Sequence, residues 1–266
     1  MEGSCEKGKE QGTVEFKDVS FRYPGAAQDS LEHISFRVEK GQTLAIIGAT
    51  GSGKTSLVSL IARFYDATAG QVLVDGVDVK DYTFDALYDR LGYVTQKAVL
   101  FSGTVQDNVT FGACSRKLTE SDVDQAIRLA QADEFVSRLE DGTRHYLAQG
   151  GRNVSGGQKQ RLSIARALAR DPEVLIFDDS FSALDYRTDA ALRAGLNENL
   201  KDTTKIIVAQ RISTIRQADQ ILVLEDGRAV GLGTHRQLLR SCPVYQEIAL
   251  SQLTEQELRE EGGMEA

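Results

Sequence analysis

Residues Gly48-Ala49-Thr50-Gly51-Ser52-Gly53-Lys54-Thr55 decide the fold of this chain. An apolar run of strand length, residues 43–47, comes before them, and residues 54–65 have the spacing of a helix. Glycines in such a turn let successive backbone N–H groups point at phosphate oxygens, and the helix adds its positive end. The lysine then reaches the β- and γ-phosphates, and the threonine hydroxyl binds Mg²⁺. The octet therefore predicts a strand, a phosphate-binding loop (P-loop) and a helix.

A second segment, Asn153-Val154-Ser155-Gly156-Gly157-Gln158, follows about a hundred residues later. Taken alone, Ser-Gly-Gly-Gln is typical of a helix cap. A serine hydroxyl, two glycine backbones and a helix N-terminus also form an anion site, and residues 159–170 have a helical pattern. Its position after the P-loop and before the acidic strand described next favours the anion site.

The third feature is an apolar run, residues 174–177, that ends in Asp178 and Asp179. A single aspartate there could be a helix N-cap. Two acids at the end of a buried strand instead favour Asp178 as the carboxylate that a P-loop enzyme places beside Mg²⁺.

These three segments, in this order, resemble the ATP-binding cassette (ABC) transporter nucleotide-binding domain over nearly the whole chain. The resemblance implies an α/β fold. A mostly parallel, RecA-like sheet would carry the P-loop, with an antiparallel β portion near the N-terminus and an inserted helical lobe. In the family, the segment Ser155–Gln158 is presented across a dimer to the ATP of the partner. The stretch of residues 101–108 is similar to the exporter branch.

Smaller features match the same family. Tyr23 matches the aromatic residue that stacks on adenine, Gln96 the glutamine that touches Mg²⁺, and residues 182–185 the loop that crosses between subunits. The resemblance therefore implies a nucleotide-binding set of Tyr23, Gly48, Thr50, Gly51, Ser52, Gly53, Lys54, Thr55, Ser56, Gln96, Ser155, Gly156, Gly157, Gln158 and Asp185. It also implies Mg²⁺ ligands Thr55, Gln96 and Asp178, and catalytic residues Asp178, Asp179 and Gln210.

Two positions depart from the family pattern, and both concern hydrolysis. Asp179 stands where glutamate usually aligns and deprotonates the attacking water, and its side chain is one methylene shorter. Gln210 stands where histidine usually contacts the γ-phosphate, and glutamine cannot carry positive charge. A displacement of about 1 Å can cost about 10²-fold in rate. We therefore expect slow hydrolysis at this chain's own site, as in the weak-site half of a heterodimeric multidrug or lipid exporter. A slow but symmetric homodimer is the alternative.

Composition sets the remaining limits. The 266 residues carry a net charge of −8, which disfavours a nucleic-acid surface. Three cysteines and three histidines are scattered, which favours neither disulfides nor a structural metal site. We expect a polar extension over residues 1–11, the ATP-binding domain over 12–252 with a helical lobe near 97–170, and an acidic tail over 253–266 in which a frayed helix runs into disorder.

The resemblance implies ATP and Mg²⁺ as cofactors. As partners it implies a second nucleotide-binding domain, of a different chain, and a transmembrane domain at the cytoplasmic face of the cell membrane. The polar start fits an excised domain, and a free subunit is the other reading. A non-transport ABC ATPase remains open, although a repair enzyme of this kind carries a long coiled coil and a translation factor two cassettes. A GTPase would need Asn-Lys-x-Asp, which is absent from the sequence.

Overall fold

The computed structural model describes residues 11–112 and 115–260. Most of the expected extension over residues 1–11 therefore lies outside the described residues, as do Cys5 and Cys114. The chain divides into two compact units. The first combines residues up to Thr83 with those from Thr204 onward, and the second runs from Phe84 to Thr203.

The described residues contain twelve strands and eleven α-helices. The strands are β1 (Val14–Phe21), β2 (Leu31–Val38), β3 (Thr43–Gly48), β4 (Ala69–Val74), β5 (Val77–Asp78), β6 (Leu91–Val94), β7 (Gly103–Thr104), β8 (Tyr146–Leu147), β9 (Val174–Asp178), β10 (Thr204–Val208), β11 (Gln220–Glu225) and β12 (Arg228–Gly233). The helices are α1 (Lys54–Ile61), α2 (Phe84–Tyr88), α3 (Val105–Val109), α4 (Glu120–Leu129), α5 (Asp133–Ser137), α6 (Gly156–Leu168), α7 (Tyr186–Asn199), α8 (Ile212–Ile215), α9 (His235–Ser241), α10 (Pro243–Leu250) and α11 (Glu255–Glu260).

An antiparallel sheet with the order β2-β1-β4-β5 forms one part of the first unit. Its strands alternate apolar and polar residues, so that one face can be buried while the other meets water. Phe16 and Phe36 face each other across β1 and β2, and their rings stack with centroids 4.6 Å apart. This sheet is the antiparallel β portion that the sequence predicts near the N-terminus.

The other strands of the first unit are mostly parallel. β3 lies between β10 and β11 and is parallel to both, while β12 pairs antiparallel with β11. Residues 44–47 of β3 are buried, as expected for a strand that is covered on both faces. The strand ends at Gly48, where the P-loop begins, so a strand that is paired on both sides carries the predicted phosphate site.

The second unit contains the parallel pair β6 and β9 together with helices α2 to α7. All five residues of β9 are buried. Threonine or serine caps begin three of the helices, because Thr104, Thr119 and Ser155 each form a capping box at the start of α3, α4 and α6. The predicted α/β class, with a mostly parallel core and an antiparallel portion, is confirmed. The expected lobe of residues 97–170 falls entirely within this unit.

Helix boundaries differ from the sequence expectation where a local signal ends or begins the helix. We expected α1 over residues 54–65, but it ends at Ile61 because Arg63 adopts a left-handed backbone with φ of 52°. The guanidinium of Arg63 donates to the carbonyls of Val79 and Tyr82, which holds this turn in place. Helix α6 begins at Gly156, three residues before the expected start, because Ser155 caps it.

A short helix, α11, occupies Glu255–Glu260, within the acidic tail 253–266 for which we expected a frayed helix that runs into disorder. The carboxylate of Glu257 accepts hydrogen bonds from the Thr254 N–H and hydroxyl, and Leu258 is buried. A cap and one buried apolar side chain therefore order this part of the tail. Residues 261–266 lie outside the described residues. None of the helices in the described part of the chain is both long and apolar enough to cross a bilayer.

Candidate nucleotide-binding site

The P-loop runs from the end of β3 to the start of α1, and its glycines allow close backbone approach. A Cβ on Gly48 would lie 2.1 Å from the carbonyl oxygen of Leu224 in β11. Gly53 is the N-cap of α1 with φ of 100°, a conformation that side chains rarely adopt. The loop therefore needs glycine at both positions, and it leads the backbone directly to the N-terminus of a helix.

Lys54, the first residue of α1, directs its ammonium back across the loop. Nζ donates to the carbonyl oxygens of Ala49 at 2.7 Å and Gly48 at 2.9 Å, and it lies 3.4 Å from the hydroxyl of Ser52. Thr50, Gly51 and Thr55 are exposed, whereas Ser52 is buried. The positive charge of the ammonium and that of the helix N-terminus therefore both lie where the P-loop meets α1, as an anion site requires.

Tyr23 lies beside the first turn of α1. Its hydroxyl is 2.9 Å from that of Ser56. Its ring makes edge-on contacts with Phe21 and Tyr65, at centroid distances of 4.7 and 5.0 Å. Tyr23 is half-buried, so this aromatic cluster fixes the ring while leaving part of it accessible. The structure therefore brings Tyr23 and the P-loop helix together.

Gln210 follows β10, the parallel neighbour of β3. The N–H of Ala209 donates to the carbonyl of Ile46 at 3.2 Å, so β10 stays paired almost to Gln210. Because the carboxyl ends of parallel neighbours meet at one edge, Gln210 leaves the sheet at the same edge as the P-loop. The residue is exposed.

In the second unit, Asp178 and Asp179 stand at the end of β9. The hydroxyl of Tyr93, on the neighbouring strand β6, donates to Oδ2 of Asp178 at 3.1 Å. Asp179 follows in a left-handed backbone conformation with φ of 49°, and the amide of Gln96 donates to its Oδ2 at 2.9 Å. The structure thus brings together three predicted residues, Gln96, Asp178 and Asp179.

The segment Ser155–Gln158 forms the first turn of α6. The Ser155 hydroxyl accepts from the Gln158 N–H at 3.3 Å, and the Gln158 side chain accepts from the Ser155 N–H at 2.8 Å. This capping box leaves the N–H groups of Gly156 and Gly157 at the open helix end, where helical N–H groups have no partner within the helix. The cap and the anion site are therefore compatible readings of the same turn.

Asp185 lies close to this turn. A Cβ on Gly157 would be 3.6 Å from the carbonyl oxygen of Ala183, in the loop that leads to Asp185. Asp185 caps α7, and its carboxylate accepts from the Thr188 N–H at 2.9 Å and from the Thr188 hydroxyl at 2.7 Å. These hydrogen bonds lower the pKa of Asp185 below its ordinary value. The structure brings together residues Ser155–Gln158, which we call the signature turn, and the predicted crossing loop, residues 182–185.

Two contacts involve residues to which sequence reasoning gave no role. Tyr93 bonds Asp178, and Gln252 bonds the backbone on either side of Arg211. Tyr93 lies in β6, the strand that leads to Gln96, so its nearness to Gln96 in sequence is the signal that could have suggested it. Gln252 has no signal in the sequence, because it lies about forty residues from the segment that it contacts.

Comparison with known proteins settles the family. A family model described as ABC transporter matches residues 31–182, which is more than half of the chain and includes both the P-loop and the signature turn. The chain belongs to the ABC transporter family. Its similarity to relatives named as ATP-binding proteins identifies it as the ATP-binding domain of that family.

The chain is similar to ABC transporter proteins of several bacteria. An uncharacterised ABC transporter ATP-binding protein of Mycobacterium tuberculosis is 50% identical over 242 residues, which cover 91% of this chain and 41% of that protein. An ATP-dependent lipid A-core flippase of Vibrio vulnificus is 41% identical over 245 residues, which cover 92% of this chain and 42% of the flippase. The chain thus spans about two fifths of the length of these relatives.

A solved structure of a bacterial Atm1-family ABC exporter with ATP bound has the same fold. It matches with a TM-score of 0.86 and 37% sequence identity, over 91% of this chain and 42% of the exporter chain. The likeness confirms the ABC-type α/β fold that the motifs predict.

Proposed function

We propose that this chain is the ATP-binding and ATP-hydrolysing domain of a membrane ABC exporter. The observation that carries the proposal is the P-loop. There the Lys54 ammonium lies 2.7 and 2.9 Å from two loop carbonyls, at the N-terminus of α1. Backbone N–H groups, a helix end and an ammonium at one place suit a polyphosphate. The names of the relatives, a flippase and an exporter with ATP bound, support a role in transport.

Each predicted residue has a role in this proposal. Tyr23 stacks on adenine with its exposed ring face. The P-loop, residues 48–55, and Ser56 enclose the phosphates, with Lys54 as the cation on the β- and γ-phosphates. Gln210 contacts the γ-phosphate by hydrogen bonding alone, because an amide is neutral at every pH.

The donor chemistry of Thr55, Gln96 and Asp178 fits Mg²⁺. All three offer hard oxygen atoms, and Mg²⁺ is usually held through one or two carboxylates together with substrate phosphates. The Tyr93 hydroxyl at Oδ2 of Asp178 is the kind of outer hydrogen bond that orients a ligating carboxylate. When bound, Mg²⁺ would neutralise charge on the phosphates.

We infer that hydrolysis at this site is slow. Asp179 would have to align the attacking water, yet its side chain is one methylene shorter than the glutamate usual at that position. The carboxylate of Asp179 is also engaged by the Gln96 amide at 2.9 Å, which draws it toward β6. Gln210 cannot supply the positive charge of a protonated histidine. Both effects lower transition-state stabilisation more than they lower binding.

The signature turn has a separate role. We propose that Ser155–Gln158, with the N–H groups of Gly156 and Gly157, binds the ATP of a second nucleotide-binding domain, and that Asp185 lies in the loop that crosses to it. Two Mg-ATP would then be enclosed in a dimer with a different chain. The transmembrane partner would hold this chain at the cytoplasmic face of the membrane.

ATP turnover tests the slow-site proposal directly. We would measure phosphate release from the chain itself and from the Asp179→Glu/Gln210→His double variant. We expect the double variant to be faster by about tenfold to a hundredfold, since it restores the reach of the base and the charge at the γ-phosphate. Asp202→Glu, at an exposed turn, is the matched control and should leave turnover unchanged.

The outcomes decide whether the site is slow. Rapid turnover by the unaltered chain alone would reject the slow site, in the weak-site half and in the slow symmetric homodimer alike. Turnover that is slow in the unaltered chain and faster in the double variant supports a slow site that Asp179 and Gln210 cause. Complete failure to bind adenine nucleotides would reject the proposed function as a whole.

A further inference from the structure

The side-chain amide of Gln252 holds the backbone of the segment that presents Gln210. Its Oε1 accepts from the N–H of Ile212 at 2.8 Å, and its Nε2 donates to the carbonyl of Gln210 at 2.8 Å. The one amide group thus bonds the backbone on both sides of Arg211, much as a neighbouring strand would. Gln252 comes from a different part of the chain, the turn that follows α10.

Helix α10 gives Gln252 a fixed support. Tyr245 and Ala249 are completely buried, and the Tyr245 hydroxyl is 2.6 Å from Nδ1 of the buried His235 in α9. The backbone N–H of Gln252 donates to the carbonyl of Ala249 at 3.0 Å. The position of the amide is therefore set by two packed helices.

The segment 209–212 is held at several points, and three of them bear on the backbone beside Gln210. The N–H of Ala209 bonds Ile46 of β3, and the Gln252 amide bonds both the Gln210 carbonyl and the Ile212 N–H. The side chain of Ile212 is fully buried. The exposed side chain of Gln210 thus projects from a backbone that is fixed on both sides. Of these three points, the two on the C-terminal side depend on Gln252.

We propose that Gln252 is a positioning residue for γ-phosphate recognition. It acts through Gln210 by fixing the backbone from which that side chain extends. The inference rests on the proposed role of Gln210, and it links the C-terminal end of α10 to the terminal phosphate of ATP. A neutral glutamine depends on geometry alone for its hydrogen bond, so its placement matters more than that of a charged residue would.

The proposal predicts that loss of Gln252 changes the preference of the chain for ATP over ADP. ADP lacks the γ-phosphate, so loss of Gln252 should weaken ATP binding and leave ADP binding nearly unchanged. A change that merely loosened the fold would weaken both. The ratio of the two dissociation constants is therefore a readout that a general structural role does not move.

We would measure ATP and ADP binding, with Mg²⁺ present, to the whole chain and to Gln252→Leu. Leucine has similar volume and can neither donate nor accept a hydrogen bond. Because the amide is exposed and competes with water, we expect ATP to bind about threefold to tenfold more weakly and ADP to change less than about twofold. Gln252→Asn places the amide one methylene further back and should change the ratio of the ATP and ADP dissociation constants in the same direction. It replaces the leucine variant if that variant does not fold.

A second pair of variants shows whether the effect passes through Gln210. In a Gln210→Ala background, adding Gln252→Leu should change the ratio by less than about twofold. Gln246→Leu is the matched control, because the Gln246 side chain lies on the same helix and donates to the Leu239 carbonyl, away from the segment that Gln252 bonds. It should leave the ratio at the value of the unaltered chain.

Three results would overturn the inference. They are an unchanged ratio in Gln252→Leu, equal weakening of ATP and ADP, or a full Gln252→Leu effect that persists without the Gln210 side chain. If the unaltered chain binds neither nucleotide, the proposed function fails first. That result differs from one in which the chain binds ATP normally and the Gln252→Leu change leaves the ratio unaltered.

Discussion

The position of Gly48 in the P-loop has no room for a side chain. An added Cβ would meet the Leu224 carbonyl oxygen at 2.1 Å, and both groups belong to the central strands of the first unit. Backbone cannot move aside as a flexible side chain can. Gly51, in the same loop, has open space around its added Cβ but a φ of 86°. The two glycines are therefore required for different reasons.

We predict that Gly48→Ala lowers the free energy of unfolding by about 3 kcal/mol or more, because β11 must move away from β3. Gly51→Ala should cost only about 1–2 kcal/mol, the strain of a left-handed backbone. Denaturant unfolding of both variants measures the difference. Equal losses would mean that the close approach of Gly48 to Leu224 does not constrain the loop.

At the scale of the element, helix α4 begins with an acid-sensitive cap. Hydrogen bonds to its carboxylate lower the pKa of Asp122 to about 2. The largest effect comes from the Arg116 guanidinium, and the N–H and hydroxyl of Thr119 add to it. An ordinary aspartate titrates near about 3.9. Because the folded chain lowers this pKa, the cap stabilises the fold above about pH 4, and this stabilisation is lost as the pH falls through about 2.

We predict that Asp122→Asn removes this acid-sensitive part of the stability. Between pH 5 and pH 2 the melting temperature should fall less in the variant than in the unaltered chain, and the two should differ most near neutral pH. Thermal unfolding across this pH range is the measurement. Asp124→Asn, exposed on the same helix, should follow the unaltered chain.

Elements also show what sequence could and could not predict. The strand, loop and helix around residues 43–61, the strand that ends at Asp178 and the cap at Ser155 were all predicted, because glycine spacing, apolar runs and cap residues act locally. The early end of α1 was missed, because Arg63 turns left-handed to reach the carbonyls of Val79 and Tyr82. The contact from Gln252 to residues 210–212 was also missed, because it arises only when distant segments pack together.

At the scale of the whole molecule, nucleotide binding should be visible as added stability. A ligand that binds only the folded chain at about a hundred times its dissociation constant contributes about 2.7 kcal/mol. We predict a gain of this size from Mg-ATP. Lys54→Ala should abolish most of it, since the ammonium at the P-loop would be gone.

Unfolding with and without Mg-ATP tests this prediction. Lys80→Ala is the control, because Lys80 is an exposed lysine that donates to the Ala67 carbonyl outside the P-loop. It should retain the full gain. A Lys54→Ala chain that is still stabilised by Mg-ATP would contradict the assignment of the P-loop as the phosphate site.

The pairing of β3 has a consequence for biosynthesis. Both of its neighbours, β10 and β11, come from the far side of the second unit in sequence. A ribosome that adds about 5–20 residues per second needs roughly 10–35 s to travel from Gly48 to the end of β11. The nascent β3 has neither partner strand until β10 is made, and it lacks β11 until the end of that interval. The unpaired, apolar edge of β3 would be exposed to chaperones during synthesis. A polypeptide that ends before Glu225 would lack part of β11, and its ATP pocket would not form.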